Sequence, residues 1–415
     1  MKMKFFLALI VLSLQQVSAD VGLKELLSAV ATNESYQSQL TYQEKAKKEH
    51  ESSQKTYLPT VDMIAGRDSK FERASYEPKN SDYVGLRTSY ILFDGFKREG
   101  KIASQKSAYD AQTYKSEFTK QQLMLDVIRE YYTLQSAKSG ISVLNYKIKE
   151  LNANIKNITV LVTNDLSTKD KLQAMVASQK EAEYDLESMK LQLESSRLKL
   201  LQLTGLAISM DKDQEYLQET VHAKNSARAD IEADKLTAKS LESAVSQYTY
   251  MPTISLQYDI KNNVFSSYDD MGGSQTLSKH SNDLSLQFSF PLFDFGKISK
   301  DQEAARLGVL ALSQEIAYKE KTIQTDKEIS ERSLEAARTK LSAANAAFEA
   351  TSMAYEYAKK RFSTNLISHT DYLSELTKKE EASYRCIAAK NEIELKKAEY
   401  AFTVGTDLMT LLGEL

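Results

Sequence analysis

The chain has 415 residues, a formal net charge of -3 at pH 7 and 27% charged residues. Because acidic and basic side chains are mixed and no basic field stands out, the sequence predicts no nucleic-acid partner. The single cysteine, Cys386, cannot form an intrachain disulfide, and the four histidines show no pairing at helical spacing. We therefore predict no catalytic residues, no cofactor and no metal.

Residues 1–19 have the pattern of a secretory signal peptide. Two lysines, Lys2 and Lys4, precede an apolar core at 5–14, and small residues at 17–19 form a cleavage site. The apolar run is too short to cross a bilayer as a helix. We therefore expect an exported protein from which this segment is removed.

The first half of the chain passes from helix to strands and back to helix. A helix is predicted over residues 20–56, and alternating apolar and polar residues predict strands at about 57–70 and 81–93. A proline-free segment over 96–162 then predicts a helix of about 100 Å. After a turn, a heptad-patterned helix ends at Gly205.

The second half repeats this order. A connector over 206–225 precedes a helix, which leads to strands at about 250–263 and 282–293. A second long proline-free helix is predicted over 297–362. A turn and a last helix ending near Val404 complete the pattern.

Landmark residues of the two halves recur at a nearly constant distance. Two recur at an offset of 200, namely Asp94 with Asp294 and Gly205 with Gly405. Three recur at an offset of 201, namely Asn164 with Asn365, Asp170 with Asp371 and Leu172 with Leu373. We therefore predict an internal duplication with structural repeats over 20–205 and 226–415.

Each predicted strand has one apolar and one polar face, as in a membrane β-barrel or a half-buried sheet. Four strands are too few to close a barrel, and a membrane does not tolerate open sheet edges. Two copies of the chain would give a filled eight-stranded barrel, whereas three would give twelve strands around a lumen. The long helices lack a compact core and are interpreted as the wall of a tube.

The ordered motifs of the chain resemble those of the TolC family of outer-membrane efflux proteins. The pieces that carry the resemblance are 57–60 (YLPT), 250–253 (YMPT), 291–296 (PLFDFG), 203–205 (LTG) and 402–405 (FTVG). The resemblance implies a mostly α protein with a membrane β-barrel, in which a trimer forms a twelve-stranded barrel continuous with a long α-helical barrel.

The same resemblance implies a function and a location. The protein would be an exit duct in the outer membrane that extends into the periplasm and contacts outer-membrane lipid. A periplasmic adaptor and an inner-membrane transporter of the ABC, RND or MFS type would work with the homotrimer. Drug-type efflux, metal efflux and type I secretion of polypeptides all remain open as cargo classes.

The resemblance also implies a constriction at the periplasmic end. Its residues are Asp371 and Asp170, with Ser374 one turn on, and Phe362 and Ile367 where family members carry a tyrosine and an arginine. Neither Phe362 nor Ile367 donates a side-chain hydrogen bond, so the latch is absent here or built differently. A ring of Asp371 would select by charge. The alternative is helix capping, because 167–170 and 368–371 both have the pattern of a capping box.

Two further sets of residues complete the predicted sites. Tip turns that contact the adaptor comprise Asn164, Asp165, Leu166, Asn365 and Leu366. Strand-to-helix junctions comprise Asp94, Gly95, Pro291, Asp294 and Gly296. Because asparagine accepts a left-handed backbone, we expect Asn164 and Asn365 to replace the glycine of the family turn.

Two other functions compete with the duct. The first is a structural or adhesive surface protein with a β-hairpin membrane anchor and a coiled-coil stalk. The duplication argues against it, since a stalk needs only one strand-to-helix junction. The second is a soluble periplasmic coiled-coil scaffold, which fractionation without detergent would identify.

Overall fold

The computed structural model describes residues 21–71, 79–207, 215–218, 228–267, 280–364 and 366–412. The helices are α1 (Leu23–Ala29), α2 (Glu34–Gln54), α3 (Lys97–Thr163), α4 (Lys169–Thr204), α5 (Ala229–Val245), α6 (Lys297–Ser363) and α7 (His369–Thr403). The strands are β1 (Thr60–Ser69), β2 (Asn80–Phe93), β3 (Thr253–Ser267) and β4 (His280–Ser289). The predicted signal peptide and most of the predicted connector lie outside the described residues.

The two halves of the chain have the same order of elements, as the duplication predicts. In each half a pair of strands follows a helical segment, made of α1 and α2 in the first half and α5 in the second, and is followed by a 67-residue helix and a shorter last helix. No helix among the described residues is both long and apolar enough to span a membrane.

Several predicted boundaries were wrong for local reasons. The helix predicted over 20–56 is interrupted after a short 3-10 turn, and α2 starts again beyond Asn33. A second 3-10 turn over Lys55–Tyr57 and the following Pro59 delay the first strand to Thr60. The last strand ends at Ser289 rather than 293.

The polypeptide divides into two spatial units, and each unit takes residues from both repeats. The first unit draws its described residues from Met1–Ser38, Glu117–Ala229 and Lys321–Leu415. The second unit comprises Gln39–Ser116 and Asp230–Glu320.

The second unit contains a four-stranded sheet with the order β1-β2-β3-β4, antiparallel throughout. Within the described residues, β1 and β4 each pair with a strand on one side only. Because the strand number is even, β1 and β4 run in opposite directions. Placed edge to edge, copies of this sheet would therefore continue the antiparallel pattern.

One face of this sheet is apolar and exposed. The register aligns Met63 with Leu86 and Leu86 with Ile260, so their side chains lie on the same face. The exposed fractions are 77% for Met63, 49% for Leu86 and 70% for Leu284 on the outer strand. Large apolar side chains this exposed indicate a surface that is covered by something other than water.

The opposite face of the sheet is polar and holds an ion pair. The Arg87 guanidinium donates two hydrogen bonds of 2.9 Å to the two carboxylate oxygens of Asp259. Next along the strands, the Lys261 ammonium lies 5.0 Å from the centre of the Tyr83 ring. The register places Asp62, Arg87, Asp259 and Asp283 in one row across the four strands.

The first unit has a hydrophobic core around α1. Leu23, Leu26, Leu27 and Val30 of this segment are completely buried. They pack with residues of α3, α4, α7 and the 3-10 turn Leu408–Leu412. Since full burial of each such side chain is worth about 1.5–3 kcal/mol, this segment anchors the unit.

The long helices of the first unit follow the order α4, α3, α7, α6. Hydrogen bonds between neighbouring helices join Glu130 to Lys199, Ser136 to Asn391, and Glu392 to Lys340. Neighbours are antiparallel, and residues at similar distances from the turns face each other. The Asn152–Gln179 pair, for example, lies 11 residues before the end of α3 and 10 after the start of α4.

A short segment over residues 215–218, which has no regular secondary structure, is clamped onto these helices by a buried ion pair. The Leu217 amide donates to Glu394 at 2.7 Å, and the Lys397 ammonium donates to the Leu217 carbonyl oxygen at 3.4 Å. Glu394 and Lys397 are 2.8 Å apart and only 7% and 10% of their side chains are exposed. The Tyr132 hydroxyl, whose pKa burial raises, donates to the Glu215 carbonyl oxygen at 3.0 Å.

Candidate functional site at the helix tips and strand-to-helix junctions

The two helix turns have the same backbone hydrogen bond. The Leu166 amide donates to the Leu161 carbonyl oxygen at 2.8 Å, and the Leu366 amide donates to that of Arg361 at 2.8 Å. The long helices end at Thr163 and Ser363, so the structural offset at the turns is 200 rather than 201. Each hydrogen bond spans five residues and ends its helix.

The expectation for Asn164 is wrong because of this offset. The left-handed residue is Asp165, with φ 60°, whereas the Asn164 side chain donates to the Val160 carbonyl oxygen at 2.8 Å. Aspartate, like asparagine, tolerates this conformation better than most residues. Asn365 lies outside the described residues. Leu166 and Leu366 are 73% and 67% exposed, so both turns present an apolar side chain.

Asp371 forms the predicted capping box. Its amide donates to the Ser368 hydroxyl at 3.1 Å, and its carboxylate accepts from the Ser368 amide at 3.3 Å. The Ser368 hydroxyl also donates to the carboxylate at 2.7 Å. The carboxylate is exposed and fixed at the start of α7. It can therefore cap the helix and present a charge at the tip together.

The capping box predicted for Asp170 is wrong. The N-cap of α4 is Thr168, not Ser167, and its hydroxyl accepts no capping hydrogen bond. Asp170 is therefore the second residue of its helix, whereas Asp371 is the third. A hydrogen bond with the Thr168 side chain, and then amides of the first turn, hold the pKa of Asp170 below its usual range. The two carboxylates therefore do not occupy equivalent positions in the two structural repeats.

Three of the five predicted aperture residues share one groove between α6 and α7. Asp371, Ser374 and Ile367 line this groove, which has a volume of about 530 Å³. Two basic side chains that the sequence prediction missed, Arg361 and Lys378, line it as well. Lys378 lies one helical turn beyond Ser374 and two beyond Asp371, so helical spacing could have identified it. Arg361 is adjacent in sequence to Phe362 and has no such spacing.

Phe362 contributes to an aromatic cluster within the α6–α7 pair. Its ring stacks on Tyr372, with centres 4.9 Å apart and an interplanar angle of 16°. The Tyr372 hydroxyl lies 3.0 Å from that of Tyr355, and this hydrogen bond, more than burial, raises the pKa of Tyr372. Tyr355 and Phe362 are seven residues apart on α6, so heptad spacing could have predicted their common face.

The first strand-to-helix junction is a left-handed turn. Gly95 and Phe96 have φ 72° and 67°, and the Asp94 carboxylate accepts from the Arg98 amide at 3.0 Å. The Arg98 guanidinium also stacks on Tyr57, 4.6 Å from the ring centre. A Cβ atom at Gly95 would lie 2.5 Å from the Met251 Cβ. This junction therefore requires glycine for both backbone and space.

The second junction has the same backbone with glycine and phenylalanine exchanged. Phe295 and Gly296 have φ 55° and 82°. The Asp294 carboxylate accepts from the Ile298 amide at 2.7 Å and from the Tyr250 hydroxyl at 3.0 Å. The amide hydrogen bond is the main reason that the pKa of Asp294 lies below its usual value. Pro291 follows the end of β4, in a segment without regular secondary structure.

The comparisons with known proteins agree with this architecture. The family described as "Outer membrane efflux protein" matches residues 26–206. No curated protein matches the chain in sequence.

Solved structures match nearly the whole chain. A membrane protein from Pseudomonas aeruginosa has a TM-score of 0.77 and 15% identity over 94% of both chains. The Campylobacter jejuni outer membrane channel CmeC has a TM-score of 0.74 and 16% identity, covering 92% of this chain and 84% of that one. The open state of the Neisseria gonorrhoeae outer membrane channel MtrE has a TM-score of 0.74 and 16% identity, covering 95% and 93%. At these identities the likeness concerns the fold.

A four-stranded antiparallel sheet joined to two pairs of long helices is the fold that the chain shares with these outer membrane channels. Residues 26–206 match the outer membrane efflux protein family, and the fold of nearly the whole chain is that of solved outer membrane channels.

Proposed function

We propose that three copies of this chain form a passive exit duct across the outer membrane and the periplasm. The observation that carries the proposal is the sheet, which has an exposed apolar face and whose two edge strands each pair on one side only within the described part of the chain. Because lipid cannot satisfy unpaired backbone groups, β1 of one copy pairs with β4 of the next. Three copies supply twelve strands, which leave a lumen lined by the polar face.

A passive duct supplies no energy itself, so transport through it needs energy from elsewhere. A periplasmic adaptor and an inner-membrane transporter of the ABC, RND or MFS type supply it. The adaptor contacts the tip turns, where Leu166 and Leu366 are exposed. The cargo is small molecules or polypeptides.

At the periplasmic end, Asp371, Ser374 and Ile367, which share one groove, form the constriction of the proposed duct. Asp371 of three copies supplies negative charge that favours cations. Phe362 does not form the hydrogen-bonded latch of the family, because its ring is stacked on Tyr372 within the same helix pair.

Single-channel recording in a planar bilayer tests the proposal. Purified oligomer should give discrete conductance steps, whereas dissociated monomer should give none. An oligomer that inserts into the bilayer and shows no conductance at any voltage would refute the duct. It would favour the structural stalk instead.

A further inference from the structure

The edge helices of the first unit, α4 and α6, each carry a row of exposed residues at heptad spacing. On α4 the row consists of Tyr184, Leu191 and Leu198, which are 72%, 71% and 55% exposed. These are large apolar side chains on a helix whose other face already packs against α3. Such a row indicates a second helix partner, since a heptad row is the pattern of a coiled-coil seam.

The row on α6 has the opposite character. Ala336, Ala343 and Ala350 are exposed and also seven residues apart. Large residues occur only at the two ends of this row, at Ile329 and Tyr357, which are 57% and 66% exposed. One edge of the unit therefore presents large side chains, and the other presents small ones.

The two rows match in register as well as in size. Leu191 lies 22 residues after the first residue of α4, and Ala343 lies 20 residues before the last residue of α6. Because contacts within the unit also join residues at similar distances from the tips, Leu191 and Ala343 are at the same level. Five levels then pair a large residue with a small one: Gly205 with Ile329, Leu198 with Ala336, Leu191 with Ala343, Tyr184 with Ala350, and Ala177 with Tyr357.

At the two ends of the rows the large residue belongs to α6 instead of α4, and this reversal favours a single register. At the lowest level the large residue, Tyr357, belongs to α6 and faces Ala177, and at the highest level Ile329 faces Gly205. A Cβ atom at Gly205 would meet nothing within 4 Å in its own chain, so open space lies beside it. Shifting either helix by one heptad would place large residues against each other.

We propose that α4 of one copy packs against α6 of the next copy in antiparallel orientation, in this one register. The partner is a second copy of the chain, because the two complementary rows lie at opposite edges of the same helix layer. In the second unit, the edge strands β1 and β4 likewise pair on one side only among the described residues. This seam rests on the proposed assembly and specifies which side chains determine it.

Engineered disulfides test the register. In a Cys386→Ala background, Leu191→Cys with Ala343→Cys should give covalent dimers and trimers on oxidation of the assembled protein. The matched control is Leu191→Cys with Ala336→Cys, displaced by one heptad or about 10 Å along α6. It should give at least about tenfold less product, since a disulfide requires Cα atoms within about 7 Å.

Exchange of the large and small side chains at positions 191 and 343 tests whether their contact stabilises the assembly. Ala343→Leu should lower the oligomer fraction about tenfold, because it opposes two large side chains. Leu191→Ala added to it should restore assembly. A conducting trimer that forms no disulfide at the matched pair, or no rescue by the second substitution, would overturn the seam and leave the duct intact. A monomer that never conducts would overturn both.

Discussion

The clamp on Leu217 leads to a quantitative prediction. Substitution of Glu394 by glutamine keeps an oxygen for the Leu217 amide but removes the negative charge beside Lys397. The Lys397 ammonium, with 10% of its side chain exposed, then has no counter-ion within its present contacts. Breaking a buried pair in this way costs about 3–5 kcal/mol. We expect a loss of that size for Glu394→Gln.

Three variants separate charge burial from loss of packing. Lys397→Met added to Glu394→Gln should return the loss to about 1 kcal/mol, because it removes the buried ammonium that would otherwise lack a counter-ion. Glu187→Gln is the matched control, since Glu187 and Lys190 have the same spacing and a 2.7 Å contact but are exposed. An exposed helical pair contributes at most about 0.5 kcal/mol.

Urea unfolding in detergent, followed by circular dichroism, measures all four proteins. Limited proteolysis gives a second readout, because release of the clamped segment should expose residues 215–218 to cleavage. The reasoning fails if Glu394→Gln loses no more stability than Glu187→Gln. It also fails if removal of the lysine gives no recovery.

Three further predictions concern the tips and junctions. Asp371→Asn should lower cation selectivity, measured as a reversal potential in a salt gradient. Ser368→Ala should cost about 1 kcal/mol of stability and leave selectivity unchanged. An unchanged reversal potential for Asp371→Asn would leave Asp371 as a helix cap only. Gly296→Ala should cost about 1 kcal/mol of stability because the position has a positive φ. Gly95→Ala should cost more stability, because its Cβ would also lie 2.5 Å from a side-chain atom. Equal losses of stability in thermal unfolding would contradict this difference. The depressed pKa of Asp294 makes its contribution to stability complete above its ordinary value of 3.8 and lost as the pH falls below it. Asp294→Asn should therefore flatten the acid side of the stability profile, and an unchanged acid side would refute the role of this carboxylate.

Much of the architecture could be predicted from the sequence, because its signals are long. The absence of proline over 96–162 and 297–362 predicts two helices that are in fact continuous for 67 residues. Alternation over 282–289 predicts β4 with its apolar face. Signals that extend over dozens of residues average out local exceptions, whereas a boundary such as Thr60 depends on a single turn and one proline.

The tip residues show where sequence reasoning failed. Matching Asp170 with Asp371 follows residue identity, but the backbone hydrogen bonds of the two turns match at an offset one residue shorter. Identity placed the left-handed conformation at Asn164, whereas the turn geometry places it at Asp165. Arg87 and Asp259 are 172 residues apart in sequence and meet only through strand pairing. Tyr355 and Tyr372 are 17 residues apart and meet only because the helices on the two sides of the turn pack together.

The one-residue difference between Asp170 and Asp371 has a consequence for any partner that contacts both tips. Consecutive helix positions point about 100° apart around the axis, so the two carboxylates face different directions although the turns beneath them are alike. In the proposed trimer, a ring built from such tips has six similar backbone turns, each with an exposed leucine, but only a threefold arrangement of charge. A partner that contacts only the apolar turn can occupy six sites. A partner that also contacts the carboxylate would bind differently at alternate sites, because the carboxylate points in a different direction there. In that trimer, the duplication gives six similar backbone turns but two different sets of three carboxylates at one end of the molecule.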